Sequence, residues 1–123
     1  MKALVVDDSR VMRMLLSRML KEVGFTDVGQ AEHGKDAMAY FSGNPDTRLA
    51  LVDWNMPEMN GIELVEAVRK DASLNDVRLV MVTTESEMAQ IERALALGAN
   101  EYVMKPFTKD VIGDKLRLLG LNL

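Results

Sequence analysis

The chain has 123 residues, 48% of them hydrophobic, with a formal net charge of −4 and no cysteine. This size and composition predict a single domain over residues 1–123 and exclude disulfides and thiolate metal sites. An acidic chain without a Lys/Arg run also lacks the positive field of a nucleic-acid-binding protein. No apolar stretch reaches the ~18 residues of a membrane span, and no signal-peptide pattern is present, so we expect a cytoplasmic protein.

Short apolar runs alternate with segments of helical periodicity along the chain. In order, the predicted elements are a strand at Ala3–Val6, a helix at Ser9–Val23, a polar edge strand at Asp27–Ala31, a helix at Gly34–Phe41, a strand at Leu49–Val52, a helix at Gly61–Lys70, a strand at Leu79–Val82, a helix at Ser86–Leu97, a strand at Tyr102–Met104 and a helix at Thr108–Leu119. This alternation predicts an α/β fold, a doubly wound parallel sheet of five strands with five helices on both faces.

The helix patterns also predict which residues face the core and which face water. The apolar stripes predicted to point inward include Val11 and Leu15 in the first helix, Leu95 in the fourth and Val111 in the fifth. The basic residues stand singly and are predicted to lie on solvated helix faces. They are Arg10, Arg13, Arg18, Lys21, Arg69 and Lys70.

Polar residues follow four of the predicted strands. Asp7 and Asp8 come after the first, Asp53 after the third, Thr83 after the fourth and Lys105 after the fifth. The carboxyl ends of parallel strands meet at one edge of the sheet, where such folds bind ligands. Three converging carboxylates repel one another unless a cation and an ammonium group balance them.

This donor set favours magnesium over zinc. A few oxygen ligands suit Mg²⁺ held partly by water. Zinc is disfavoured because the chain has no cysteine and its only histidine, His33, lies in a predicted surface turn.

The strand ends also favour phosphoryl transfer over nucleotide binding. The turn Asp7–Arg10 has no glycine-rich phosphate cradle, which opposes a Rossmann, P-loop or flavin site. A metal ion and Lys105 could neutralise a transferring phosphoryl group, and Thr83 could donate a hydrogen bond to it. Asp53, at the central strand end, is the best candidate for a nucleophile that forms an acyl phosphate.

Four segments together resemble the receiver domain of two-component response regulators, and the resemblance covers the whole chain. They are VVDDSR at Val5–Arg10, VDWNMP at Val52–Pro57, Thr83, and YVMKPF at Tyr102–Phe107. The resemblance implies a flavodoxin-like sheet with strand order 2-1-3-4-5. It is strongest to stand-alone receivers of the chemotaxis type.

The resemblance also implies roles for individual residues. Asp53 would accept the phosphoryl group of a histidine kinase's phosphohistidine. Asp8, Asp53 and the backbone carbonyl of Asn55 would bind Mg²⁺ directly, and Asp7 would act through water. Lys105 would pair with the phosphoryl group, and its peptide bond to the following proline would be cis.

Thr83 and Tyr102 resemble the switch pair of the family. Phosphorylation would draw the Thr83 hydroxyl inward, and the Tyr102 ring would follow it. The signal would then appear on the face made by the fourth helix, fifth strand and fifth helix. The output partner would be a flagellar motor component or a phosphotransfer protein, and we expect a monomer.

Other functions remain open at this point. A phosphorelay shuttle, a receiver trimmed from a longer regulator and a phosphorylation-independent interaction domain would use the same fold. A Mg²⁺-dependent aspartyl phosphohydrolase is disfavoured, because dehalogenase-like phosphatases need an acid where this chain has Asn55. We therefore expect no enzyme beyond self-catalysed phosphotransfer and autodephosphorylation.

Three residues near the strand ends carry secondary expectations. Asn55 and Glu85 occupy positions that resemble the family's tuners of autodephosphorylation. Trp54 is predicted to be a partly exposed packing residue that points away from Asp53.

Overall fold

A computed structural model describes residues 1–54, 59–84 and 89–121 of the chain. Its strands form one parallel sheet in the order β2-β1-β3-β4-β5, which confirms the predicted topology. The strands are β1 (Lys2–Val6), β2 (Asp27–Ala31), β3 (Leu49–Asp53), β4 (Arg78–Thr83) and β5 (Glu101–Met104). The polar β2 lies at one edge of the sheet, as predicted.

Five α-helices connect or follow the strands. They are α1 (Arg10–Val23), α2 (Gly34–Gly43), α3 (Gly61–Lys70), α4 (Ile91–Leu97) and α5 (Lys109–Leu118), with a short 3-10 helix at Ala72–Leu74. Side chains cap the first turns of α1 and α5: Ser9 accepts from the Met12 amide, and Thr108 accepts from the Val111 amide. Across the part of the chain that the structure describes, no helix has the length and apolar character to cross a bilayer.

The fourth helix differs most from its prediction. Its predicted start at Ser86 lies outside the described residues, residues 89–90 form a 3-10 turn, and α4 begins at Ile91. Gln90 at its N-cap makes no side-chain capping bond. Gly98 ends the helix at φ 121°, a conformation that favours glycine.

Alternate strand residues pack into two cores on the two faces of the sheet. One row, which includes Leu49 and Leu51 of β3, packs with α1 and α5. The other row, which includes Ala50 and Val52, packs with α2, α3 and α4. The strands are therefore buried on both faces, as expected of a parallel sheet between helical layers.

Several apolar residues predicted to point inward are exposed instead. Val11 and Leu15 of α1 are 66% and 50% exposed, and Leu95 and Val111 are also exposed. The apolar stripe of α1 is wider than the line of contact with the sheet, which follows Arg13, Leu16, Ser17 and Leu20. This leaves an apolar surface on the outer side of α1.

Arg69 contradicts the prediction of a solvated face. Its guanidinium donates hydrogen bonds to the carbonyl oxygens of Gly98 (2.9 Å), Leu74 (3.3 Å) and Val77 (2.7 Å). It also donates to Asn100 Oδ1 at 2.9 Å. Arg69 thus ties α3 to the C-terminal end of α4 and to the segment before β4, at the end of the sheet opposite the strands' carboxyl ends.

Candidate metal and phosphoacceptor site

The carboxyl ends of the strands are level at one edge of the sheet. The paired residues there are Val6 with Val52, Asp53 with Val82, and Thr83 with Met104. Asp7 and Asp8 directly follow β1, and Lys105 directly follows β5. The register of the sheet therefore brings residues from four separate chain segments to one edge.

Side-chain alternation decides which of these residues face one another. Asp7, Asp53 and Lys105 continue the rows of β1, β3 and β5 that face α1 and α5. Thr83 continues the row of β4 on the opposite face, and Tyr102 packs against the core on that same face. The charged residues and the Thr83–Tyr102 pair thus lie on different sides of the strand ends.

Three carboxylates form a tight cluster. Asp7, Asp8 and Asp53 each offer an oxygen, and these oxygens all lie within 4.8 Å of one another. Asp7 is 1% exposed and Asp53 is 8% exposed, whereas Asp8 faces solvent. The cluster is therefore buried at its base and open at Asp8.

Lys105 is the cation nearest to the buried carboxylates among the ion pairs that the described residues form. Its Nζ lies 3.5 Å from Asp53 Oδ1 and 3.8 Å from Asp7 Oδ2. Its backbone N–H donates to the Thr83 carbonyl oxygen at 2.7 Å, which fixes the segment to β4. The Lys105–Pro106 peptide bond is cis, as predicted.

One ammonium does not balance the cluster. Burial, together with the charge of Asp7, raises the pKa of Asp53 to about 6, although Lys105 lowers it. Burial also raises the pKa of Asp7, against the lowering effect of the Ser9 amide and Lys105. The excess negative charge and the loss of hydration both favour an added positive charge here.

The oxygens available suit a hard divalent cation. Asp7 Oδ1 accepts from the Ser9 amide at 2.8 Å, but the buried Asp7 Oδ2 has no hydrogen-bond partner among the described residues. A buried carboxylate oxygen without a donor is costly unless a cation or water meets it. An oxygen-only donor set of this size fits Mg²⁺ with retained water ligands.

Thr83 and Tyr102 lie on neighbouring strands. Thr83 is fully buried, and its hydroxyl donates to the Thr84 carbonyl oxygen at 3.2 Å. Tyr102 is half-buried. Lys115 of α5 lies over its ring, 4.5 Å from the centroid, and donates a hydrogen bond to its carbonyl oxygen.

Two secondary expectations fall outside the described residues, those for Asn55 and Glu85. The expectation for Trp54 is wrong in its exposure: the side chain is 7% exposed and belongs to the core beneath α2, α3 and α4. Strand alternation explains this, since the residue after Asp53 turns to the opposite, covered face. His33 is half-buried and caps α2, accepting from the Asp36 amide at 3.3 Å.

Arg13 is a residue of this region that the sequence pattern missed. It was predicted to be solvated, but it is 8% exposed, and its Nη1 donates to the Asp7 carbonyl oxygen at 2.8 Å. The signal for it was its spacing, because Arg13 precedes Leu16, Ser17 and Leu20 on one helical face.

An apolar groove of about 420 Å³ opens beside the cluster, between α1 and the segment after β5. Its lining includes Met12, Leu15, Leu16, Met19, Lys105 and Phe107. Lys105 lines the groove and also pairs with Asp7 and Asp53 of the cluster, so the two features are continuous.

The sequence profile of the response regulator receiver domain matches residues 3–117. The chain therefore belongs to the response regulator receiver family. Its fold is that of this class of signalling domain.

Within the family, the chain is similar over its whole length to CheY chemotaxis proteins. It is 46% identical to chemotaxis protein CheY1 of Helicobacter pylori over 123 residues, 99% of each chain. It is 47% identical to a CheY homolog of Campylobacter jejuni over 116 residues, 94% of this chain and 89% of that one.

Solved structures agree with this placement. Chemotaxis protein CheY4 of Vibrio cholerae aligns with a TM-score of 0.85 at 32% identity, covering 95% of this chain and 96% of that one. Two structures described as two-component response regulator/GGDEF domain proteins also align, with TM-scores of 0.84 and 0.86. This chain spans about half of each of them, 48% and 51%.

Proposed function

We propose that this chain is a cytoplasmic receiver of the chemotaxis type, in which Asp53 accepts a phosphoryl group from a histidine kinase. The observation that carries the proposal is the cluster of three carboxylate oxygens within 4.8 Å of one another, faced by Lys105. The similarity to CheY chemotaxis proteins over the whole chain supports the signalling context.

The metal in this proposal is Mg²⁺. Asp8 and Asp53 would hold it directly with the backbone carbonyl of Asn55, and Asp7 would hold it through water. When bound, the ion supplies positive charge that offsets the carboxylates and the incoming phosphoryl oxygens. The orphaned Asp7 Oδ2 and the raised pKa of Asp53 support a cation at this place.

The transfer itself needs few groups from the protein. An ionised oxygen of Asp53 attacks phosphorus, the P–N bond to the donor histidine breaks, and its electron pair stays on the imidazole. The product is an acyl phosphate on Asp53. Lys105 Nζ, 3.5 Å from Asp53 Oδ1, is close enough to pair with a phosphoryl oxygen. Hydrolysis of the acyl phosphate resets the domain, so the chain acts as a switch and not as a turnover enzyme.

The output would pass through Thr83 and Tyr102. The Thr83 hydroxyl would turn from the Thr84 carbonyl oxygen to a phosphoryl oxygen, and the Tyr102 ring would move into the space that it leaves. Both residues lie on the α2–α4 side of adjacent strands, which supports their coupling. The changed face of α4, β5 and α5 would bind the downstream partner, a flagellar motor component or a phosphotransfer protein.

The phosphodonor would approach over the apolar groove beside α1. Its phosphohistidine must reach Asp53, and the groove extends to Lys105 at the mouth of the site. Leu15, half exposed in that groove, offers apolar area that the domain itself leaves uncovered.

Fluorescence of Trp54 tests the proposal directly. Trp54 is the only tryptophan and is adjacent to Asp53 in sequence. We expect Mg²⁺ to change its emission, and beryllofluoride or acetyl phosphate to change it further. Asp53→Asn should abolish the response to the phosphoryl group or its analogue. No response to Mg²⁺ in the intact protein, or an undiminished donor response in Asp53→Asn, would contradict the proposal.

A further inference from the structure

Arg13 of α1 has a buried guanidinium, which lies behind the carboxylate cluster. It is 8% exposed, although a charged side chain at that depth normally requires full pairing. Among the described residues, the carboxylate with which it forms an ion pair is that of Glu32, at 3.8 Å, and Glu32 is itself 67% exposed. That ion pair is long and solvated, so it does not by itself account for the burial.

The short contacts of Arg13 go to the chain around the site. Nη1 donates to the main-chain carbonyl oxygen of Asp7 at 2.8 Å. Nε donates to Gln30 Oε1 of β2 at 3.3 Å. One planar side chain on α1 therefore joins the end of β1 to the edge strand β2.

Asp7 is held from three sides. Its amide donates to the Ala31 carbonyl oxygen at 3.1 Å, its carbonyl oxygen accepts from Arg13, and its Oδ1 accepts from the Ser9 amide. Only Oδ2 remains without a hydrogen-bond partner among the described residues, and it belongs to the cluster. Arg13 is the one contact of these three that is made by a side chain on another element.

We propose that Arg13 is a positioning residue, which fixes the end of β1 so that Asp7 and Asp8 meet a divalent cation in the correct arrangement. This rests on the proposed metal site and goes beyond it, because Arg13 would not touch the cation. A bidentate guanidinium suits the task better than an ammonium, since its rigid fork reaches two acceptors at once. Partners behind metal ligands commonly change metal affinity by 10–100-fold when removed.

The positive charge of Arg13 makes the direction of the change in Mg²⁺ affinity informative. Arg13 is positive, so if it acted only through its charge, its removal would strengthen binding of a cation nearby. A positioning role predicts the opposite. Arg13→Met should weaken Mg²⁺ binding by about tenfold. Arg13→Lys, which keeps the charge but not the fork, should weaken it by a smaller factor.

The experiment is a Mg²⁺ titration of the whole chain followed by Trp54 fluorescence, with no phosphodonor present. Arg78→Met is the matched control, because Arg78 begins β4 at the end opposite Thr83 and donates to the Leu119 carbonyl oxygen at 3.3 Å. Glu32→Gln is the second control and removes only the exposed ion pair. Both controls should bind Mg²⁺ as the unmodified chain does.

A metal-free readout accompanies the titration. Amide resonances of Asp7, Asp8 and Ser9 should shift in Arg13→Met but not in Arg78→Met. If Arg13→Met does not fold, the Mg²⁺ titration and the amide resonances are both measured on Arg13→Lys. Equal or tighter Mg²⁺ binding in the Arg13 variants, or an equal loss in Arg78→Met, would overturn the positioning role. Absence of Mg²⁺ binding by the unmodified chain would instead overturn the proposed metal site, and Arg13's role with it.

Discussion

The ammonium group of Lys115 on α5 lies 4.5 Å from the ring centroid of Tyr102 on β5. The same group donates to the Tyr102 carbonyl oxygen, and its nitrogen is 3.6 Å from Glu101 Oε1. Lys115 therefore holds both the ring and the backbone of Tyr102 against α5. A cation over a partly exposed ring contributes about 0.5–1 kcal/mol.

Lys115→Met should loosen this contact. We expect the free energy of unfolding to fall by about 1 kcal/mol and the Tyr102 ring resonances to shift in the metal-free protein. Urea unfolding and aromatic NMR spectra measure the two effects. Lys109→Met is the control, because Lys109 is half exposed and pairs with Glu22 only at 3.9 Å. Unchanged Tyr102 resonances in Lys115→Met would show that the contact does not restrain the ring.

Asp53→Asn should stabilise the metal-free fold at neutral pH. The pKa of Asp53 in the fold is about 6, raised from 3.8, so folding favours its protonated form. That contribution is complete below pH 3.8 and is lost as the pH rises through 6. Asparagine keeps the shape without the charge, so we expect a gain on the order of 2 kcal/mol at pH 7.5.

Urea unfolding at several pH values, without divalent cations, checks this. The gain should shrink towards zero as the pH falls to about 4. The solvent-exposed Asp76 provides the control variant Asp76→Asn, for which no such gain is expected. A gain that is the same at both ends of the pH range would contradict the assignment to the Asp53 carboxyl.

Lys105→Met should raise the pKa of Asp53 further and slow its phosphorylation. Lys105 lowers that pKa, and the variant would leave Asp53 and Asp7 facing each other without an ammonium group. We expect phosphorylation by acetyl phosphate to slow by about 100-fold, the usual cost of removing one charge-stabilising donor. Carbon-13 titration of the Asp53 carboxyl and a rate measurement at pH 7.5 test both effects. Lys70→Met, on the exposed side of α3, should change neither.

Leu15→Glu should slow phosphorylation by the kinase but not phosphorylation by small-molecule donors. A carboxylate in the groove would oppose docking of an apolar donor surface without touching Asp53. We expect phosphotransfer from the kinase to slow by at least about tenfold, a penalty of about 1.4 kcal/mol, with acetyl phosphate unaffected. Leu118→Glu makes the same exchange at a residue that is 85% exposed and outside the groove. Equal loss in both variants, or a loss with acetyl phosphate, would argue against this docking site.

The position of the strand-end residues could be predicted from two simple rules. Apolar runs mark buried strands, and parallel strands bring their carboxyl ends to one edge, so Asp7, Asp8, Asp53 and Lys105 could be expected together. Their distances could not be predicted, because the relative stagger of β1, β3 and β5 depends on how the whole sheet pairs.

The burial of the Arg69 guanidinium was not predictable from the same rules. A lone arginine on a helix has the same appearance in sequence whether it faces water or a main-chain carbonyl of a distant segment. Helical periodicity also does not tell which part of a wide apolar stripe meets the sheet, and so Val11 and Leu15 were assigned inward. In each case the deciding partner comes from another part of the chain.

The register of the parallel sheet has a consequence for which changes in length the protein can tolerate. Inserting one residue within β3 would turn Asp53 to the face of α2–α4 and separate it from Asp7 and Lys105. A longer loop where the strands begin, such as residues 44–48 before β3, would leave the register and the charged residues in place. Relatives that keep this chemistry should therefore differ in the length of the loops at the amino ends of the strands and not within the strands.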